Sequence, residues 1–315
     1  MHAMTRRHAL RGLGAIAAGV TAWPVSSRTP PTLPIGLELY MVADALEKDF
    51  EGTLRQVAAI GYRDVELSQF FGRTPRALRT QFDAAGLRCR SVHLLPVRLR
   101  PGEMSLLDDA GAIRDACGEL GARDVVCPIP SLSAELLQDY AKAKPTADGF
   151  RQLLAGLTHA DWMRHAQFLN RTGERLHRLN LRLAHHNHNL EFREFNGVPV
   201  LEDLLKETDP RYVALELDCG WVAAAGHDPV DLLHRHGSRI PLLHFKDLTR
   251  RGIPNFALTM ESVDCGQGII DWPALLAAAR QAEVRCAFVE QEPPFARSTV
   301  ESARASLEFL RKMAT

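Results

Sequence analysis

From Ile35 onward, short apolar or β-branched runs alternate with longer stretches of helical periodicity until the chain ends. Residues 35–41, 63–68, 88–95, 124–129, 182–187, 213–218, 240–246 and 285–291 read as strands. Amphipathic stretches at 50–60, 75–85, 106–120, 273–281 and 298–313 read as helices between them. Gly61, Gly86 and Gly121 fall where a helix must stop and the next strand begin, and glycine closes a helix in the left-handed conformation at least cost. Strands separated by helices pair in parallel, because a parallel neighbour needs a crossover connection. Eight such units within residues 31–315 predict a single (β/α)8 TIM barrel domain. An open doubly wound sheet is the rival arrangement, weakened because no GxGxxG follows the first strand. The longest excursion, 130–150, holds Tyr140-Ala141-Lys142-Ala143-Lys144-Pro145 and reads either as a surface helix with its loop or as a lid.

Hydrophobic residues make up 46% of the 315-residue chain, enough to bury the core a barrel of this size requires. Basic and acidic residues balance at 38 each, which argues against general nucleic-acid binding, since that needs a basic footprint. The balance is uneven along the chain. Arg6, Arg7 and Arg11 precede the Gly/Ala-rich apolar run from Gly12 to Val20, and no acid lies before residue 23. A basic segment followed by a short, weakly apolar run has the form of an export signal, and Arg6-Arg7 with Leu10 resembles the twin-arginine motif. Residues 1–30 are therefore expected to be a signal peptide and linker read by the twin-arginine export machinery, cut near Val20-Thr21-Ala22, with the barrel exported to the periplasm. The apolar run is too short for a stable membrane span. Six scattered cysteines, with no CxxC pair, read as buried apolar residues.

In such a barrel the reactive side chains lie at the carboxyl ends of the strands. The fifth strand ends in His185-His186-Asn187-His188, the sixth in Glu216-Leu217-Asp218, the seventh in His244-Phe245-Lys246 and the eighth in Glu290-Gln291-Glu292. Four successive strands thus deliver His186, Asp218, His244 and Glu290 to one rim, a nitrogen and oxygen set suited to a divalent cation such as Mn, Zn, Co, Fe or Mg. Side-chain alternation puts His186 and His188 on one face and His185 and Asn187 on the other, so His188 is expected beside the ligand set. Glu66, His93, Lys246 and Trp221 are expected to shape the substrate pocket at this rim, Trp221 by stacking on an apolar substrate face. His227, His234 and His236 read as structural.

These residues sit in stretches that resemble the sugar phosphate isomerase/epimerase group of the xylose isomerase-like TIM barrel superfamily. The resemblance runs through 35–40, 60–67 and 85–87, then His186-Asn187-His188-Asn189-Leu190-Glu191-Phe192, Leu217-Asp218-Cys219-Gly220-Trp221, His244-Phe245-Lys246-Asp247 and Gly266-Gln267-Gly268-Ile269-Ile270-Asp271-Trp272. It implies a metal held by side chains of the last four strands. Asp218, His244 and Glu290 match in type, while His186 stands where many members have Glu. Glu38 stands where relatives often carry Gln.

A cation beside a ketone stabilises the charge that develops when the neighbouring C–H is deprotonated, and a carboxylate or imidazole moves the proton. The expected activity is metal-dependent isomerisation or epimerisation of a keto sugar or related polyol, with Glu290 the first proton carrier and His188 the second. With a leaving group one carbon further on, the same chemistry becomes elimination, so a lyase or hydratase acting on 3-keto-glycosides is the alternative. A non-catalytic periplasmic sugar-binding protein would bind without turnover. An endonuclease would need more ligands and a basic face, neither of which the sequence shows.

Overall fold

The computed structural model describes residues 33–98, 103–142, 146–249 and 254–314. The expected signal peptide and linker lie outside them, as do residues 143–145 of the 130–150 excursion. Residues 33–315 form a compact unit of their own. Eight parallel strands close into a barrel: β1 (Ile35–Glu38), β2 (Asp64–Leu67), β3 (Arg88–His93), β4 (Asp124–Cys127), β5 (Arg182–His186), β6 (Val213–Asp218), β7 (Leu242–Phe245) and β8 (Cys286–Val289), with β8 pairing back onto β1. This is the (β/α)8 barrel that the alternation predicts.

The helices start and stop where their side chains can satisfy free backbone groups. Asp49 and Thr74 cap Phe50–Ile60 and Pro75–Ala85 by accepting from Gly52 N and Ala77 N. Gly61, Gly86 and Gly121 close three helices at positive φ, as expected. The helix after β3 begins at Ala110 rather than 106, because Asp109 accepts from the Gly111 and Ala112 amides there. β1 stops at Glu38 rather than 41, since the Glu38 carboxylate accepts from Tyr40 N and turns the chain into a 3-10 segment, Leu39–Val42. The excursion after β4 contains two helices, Ala134–Lys142 and Ala147–Ala155, before the long His159–His177 helix. Leu154 and Leu157 pack there with Trp162, Leu190, Val200 and Leu204, which docks the excursion over the end of β5.

Period-2 alternation along the strands stacks the barrel interior in layers. At the amino ends, Asp64 pairs with Arg88 and Arg90, and Asp124 with Arg182 and Arg285, at 2.8–3.1 Å. Val126, Ala184, Leu242, Cys286 and Phe288 fill the middle, where Gly36 leaves room for the Phe288 ring: a Cβ on Gly36 would come within 2.7 Å of it. Polar residues occupy the carboxyl ends. Outside the barrel, Tyr62 donates its buried hydroxyl to Ala303 O at 2.8 Å and so fastens the Thr299–Ala314 helix. Tyr62→Phe is expected to cost about 1–2 kcal/mol, because Ala303 O loses its buried donor; chemical denaturation reads this directly. Among the described residues no helix is long and apolar enough to cross a membrane. All six cysteines are free and buried.

Candidate metal centre

Strand register assembles the site. It sets His186 of β5 opposite Glu216 of β6, and Asp218 of β6 opposite His244 of β7. Ligand atoms of His186, Asp218, His244 and Glu290 all lie within 4.8 Å of one another, and all four residues are buried. The set read from the strand ends therefore converges. His244 Nδ1 is 2.8 Å from Glu290 Oε2 and 3.7 Å from Asp218 Oδ2. Lys246 Nζ stands 3.0 Å from Asp218 Oδ2, 2.7 Å from Glu290 Oε2 and 3.2 Å from Glu292 Oε1.

Behind the imidazoles stand two carboxylates that orient them. Glu66 Oε1 lies 2.6 Å from His244 Nε2, and Glu216 Oε2 lies 3.2 Å from His186 Nδ1. With those nitrogens donating, His186 Nε2 keeps a free lone pair, and His244 Nδ1, which donates to Glu290 Oε2 at 2.8 Å, would offer one on giving up that proton to a cation, the arrangement of metal-ligating histidines. His93 bridges the same two acids, its Nε2 3.0 Å from Glu66 and 3.2 Å from Glu216, and its ring stacks parallel to that of His244. Ser91 Oγ donates to the other oxygen of Glu66.

Glu216 is the residue that strand-end reading missed. Its signal was present, because it precedes Asp218 by two and so shares its barrel-facing side.

The donor set fits a divalent cation. Glu66, Glu216, Asp218 and Glu290 surround the two histidines His186 and His244 and one lysine, and none of the four carboxylates is more than 6% exposed. Glu216 Oε1 is buried with no hydrogen bond, and Asp218 Oδ2 meets only the Lys246 ammonium at 3.0 Å and the His244 ring at 3.7 Å; buried carboxylate oxygens so placed ask for positive charge. The electrostatics express the same demand. Burial disfavours charge on His244, yet Glu216, Glu290 and Glu66 outweigh it and raise its pKa well above the ordinary value. Burial also raises the Glu290 carboxyl, but Lys246 and His244 overcome that and hold it well below the usual range. For Asp218 burial prevails over Lys246, and its pKa is raised.

A cavity of about 570 Å³ opens over this set, lined by Glu38, Tyr40, Ser68, His93, His186, His188, Trp221, His244 and Glu290, with Arg151 contributed by the excursion. His188 and Trp221 therefore reach the cavity as expected, their rings 5.4 Å apart. Glu66 and Lys246, also expected in the substrate pocket, are fully buried behind that lining, where they hold His244 and the carboxylates. Glu38 Oε2, Ser68 Oγ and Trp221 Nε1 are buried, line the cavity and lack partners. Of the histidines read as structural, His236 binds Glu202 and His227 packs on Phe192.

The motif 266–272 has a structural task. The Asp247 carboxylate accepts from the amides of Leu248, Gly266, Gly268, Ile269 and Ile270 and from Trp272 Nε1, at 2.9–3.2 Å. That wrap sets the ribbon Asp247–Leu248/Ser262–Val263, which leads from Leu258, Thr259 and Met260 on the cavity wall.

Residues 54–313 match a family model described as xylose isomerase-like TIM barrel. An inosose dehydratase of Lacticaseibacillus casei is 25% identical over 258 residues, covering 75% of this chain and 79% of that protein. A sugar phosphate isomerase/epimerase from Parabacteroides distasonis superposes with a TM-score of 0.69 at 21% identity, over 90% of this chain and 100% of the other. The IOLI protein, solved with a binding zinc atom, superposes with a TM-score of 0.61 at 14% identity, over 90% and 98% of the two chains.

Proposed function

Because the chain belongs to the xylose isomerase-like TIM barrel family, we propose that it is a divalent-metal-dependent lyase acting on a keto sugar or keto cyclitol. It breaks the C–H bond next to the ketone and the C–O bond one carbon further, releasing water, or an alcohol from a 3-keto-glycoside, and leaving an enone. The observation that carries the reading is the convergence of His186, Asp218, His244 and Glu290 at the base of a sugar-sized cavity. Relatives named inosose dehydratase favour elimination over the isomerisation or epimerisation expected from the sequence and its resemblance.

His186, Asp218, His244 and Glu290 would hold the cation, which when bound supplies Lewis-acid polarisation of the ketone. Glu66 and Glu216 hold the two imidazoles in the ligating orientation. Glu290 Oε2 is engaged by both Lys246 and His244, so His188, which borders the cavity beside Trp221, is the better placed proton carrier. Glu38 Oε2, Ser68 Oγ and Trp221 Nε1 offer acceptor and donor positions to the remaining hydroxyls. The Arg6-Arg7 leader supports export, which favours an unphosphorylated substrate; cell fractionation with detection of the processed chain checks it.

Chelation tests the metal requirement. Stripping the protein is expected to lower turnover on keto cyclitols or 3-keto-glycosides by at least about a hundredfold, with recovery on adding back Mn²⁺, Co²⁺ or Zn²⁺. Equal turnover before and after stripping would contradict the reading.

A further inference from the structure

Behind β5, on the face turned away from the cavity, lies a second buried cluster: Cys127, His165, His185 and Glu191, each at most 3% exposed. The proposed chemistry uses none of them. From the Ser131 amide as far as Glu191 their hydrogen bonds run in one direction, and Glu191 then accepts from both of its neighbours. The Ser131 amide lies 3.0 Å from His165 Nδ1, and a backbone N–H can only donate, so Nδ1 accepts and the ring proton sits on Nε2. His165 Nε2 is 3.3 Å from His185 Nδ1, which must then accept. His185 in turn carries its proton on Nε2, 3.2 Å from Glu191 Oε1. The other oxygen of Glu191 accepts from the backbone N–H of His188 at 2.9 Å. Burial holds His165 neutral, its pKa well below the ordinary value. The Cys127 thiol, kept protonated by burial, donates to Ile129 O at 3.2 Å, so the cluster is satisfied by protons throughout.

We propose that His165, His185 and Glu191 are positioning residues: a directed hydrogen-bond relay that fixes the His188 main chain, and with it the imidazole facing the cavity, from the Ser131 amide at the foot of the excursion. Ser131 precedes the two excursion helices, the second of which brings Arg151 to the cavity lining. The relay therefore ties the seating of that segment to the seating of His188, whose ring stands edge-on to His186 at 4.9 Å. Because the Glu191 carboxylate accepts from His185 on one oxygen and from the His188 amide on the other, a change at any member reaches His188 through that carboxylate without touching the cavity. The functional half of this inference rests on reading His188 as substrate-facing. The relay itself does not.

Imidazole ¹⁵N–¹H correlation spectra of the full chain separate the two. His165 and His185 are both expected as the Nε2–H tautomer; either one as Nδ1–H, or cationic at neutral pH, overturns the relay. His165→Phe fills the space but cuts the chain. It is expected to shift the His188 resonances and to lower kcat about ten- to a hundredfold, the range found for residues that orient ligands, with KM nearly unchanged. A folded, metal-loaded His165→Phe protein with unshifted His188 resonances and wild-type kcat overturns the proposal. Should that variant fail to fold, Glu191→Gln replaces one acceptor by a donor. It is then expected to perturb His188 together with His185, and unperturbed His188 resonances overturn the proposal. A wild-type protein with both tautomers as expected but no turnover refutes the lyase reading and leaves the relay standing.

Discussion

Asp218→Asn should abolish stoichiometric cation binding and lower kcat/KM by about a thousandfold, while leaving the fold intact. The two oxygens of Asp218 do separate work. Oδ1 accepts from Trp221 N at 2.8 Å and caps the Cys219–Ala224 helix, a task an Asn carbonyl performs equally well. Oδ2 accepts no hydrogen bond and points at the Lys246 ammonium and the His244 ring. Replacing Oδ2 by an amide NH2 removes a ligand atom and a negative charge together. The loss of about 4 kcal/mol of transition-state stabilisation that this represents corresponds to the thousandfold figure. Metal analysis and steady-state kinetics on the same preparation check it, with the unfolding midpoint as the control for structure. A variant that binds the cation normally would show that Asp218 is only a helix cap.

The second large effect is on stability. Asp247→Asn is expected to destabilise the fold by about 4 kcal/mol or more, since hydrogen bonds to a charged acceptor contribute about 1.5–3 kcal/mol each and buried unmatched donors cost a similar amount. Oδ1 receives three N–H groups and Oδ2 receives three more. Whichever side the amide turns, three donors face an NH2. Repacking is closed off as well, because a Cβ on Gly268 would fall 2.1 Å from Asp247 Oδ1 and 2.3 Å from Leu248 O. Equilibrium denaturation measures the difference. A change below about 1 kcal/mol, the scale of an ordinary surface substitution, would mean that the wrap forms around some other acceptor.

Much of the barrel was legible because the physics that builds it is local. A glycine that stops a helix acts within one turn, and Gly61, Gly86 and Gly121 all act where the sequence places them. The convergence of His186, Asp218, His244 and Glu290 was legible because four polar strand ends had no apolar explanation. What escaped depends on contacts far apart in sequence. Lys246 looked free to meet a sugar, and only the closed barrel shows Asp218, Glu290 and Glu292 gathered on its ammonium. The partnership of Glu66 with His244 spans 178 residues. The excursion helices carry their apolar residues toward Trp162 and Val200, partners that periodicity cannot name. His185 was placed correctly on the far face of β5, but its links to His165 and Glu191 appear only in three dimensions.

The central claim is metal-dependent removal of a proton next to a ketone, followed by loss of the β-oxygen. The direct test is to incubate the metal-loaded chain in D₂O with a keto cyclitol and with a 3-keto-glycoside, and to follow the products by mass spectrometry and NMR. The expected product is an enone lighter than its substrate by water or by the departing alcohol, formed only when the cation is present. Deuterium incorporation next to the ketone with no mass loss would return the assignment to isomerisation or epimerisation. A fully metal-loaded protein that neither exchanges that proton nor releases a leaving group would contradict the account.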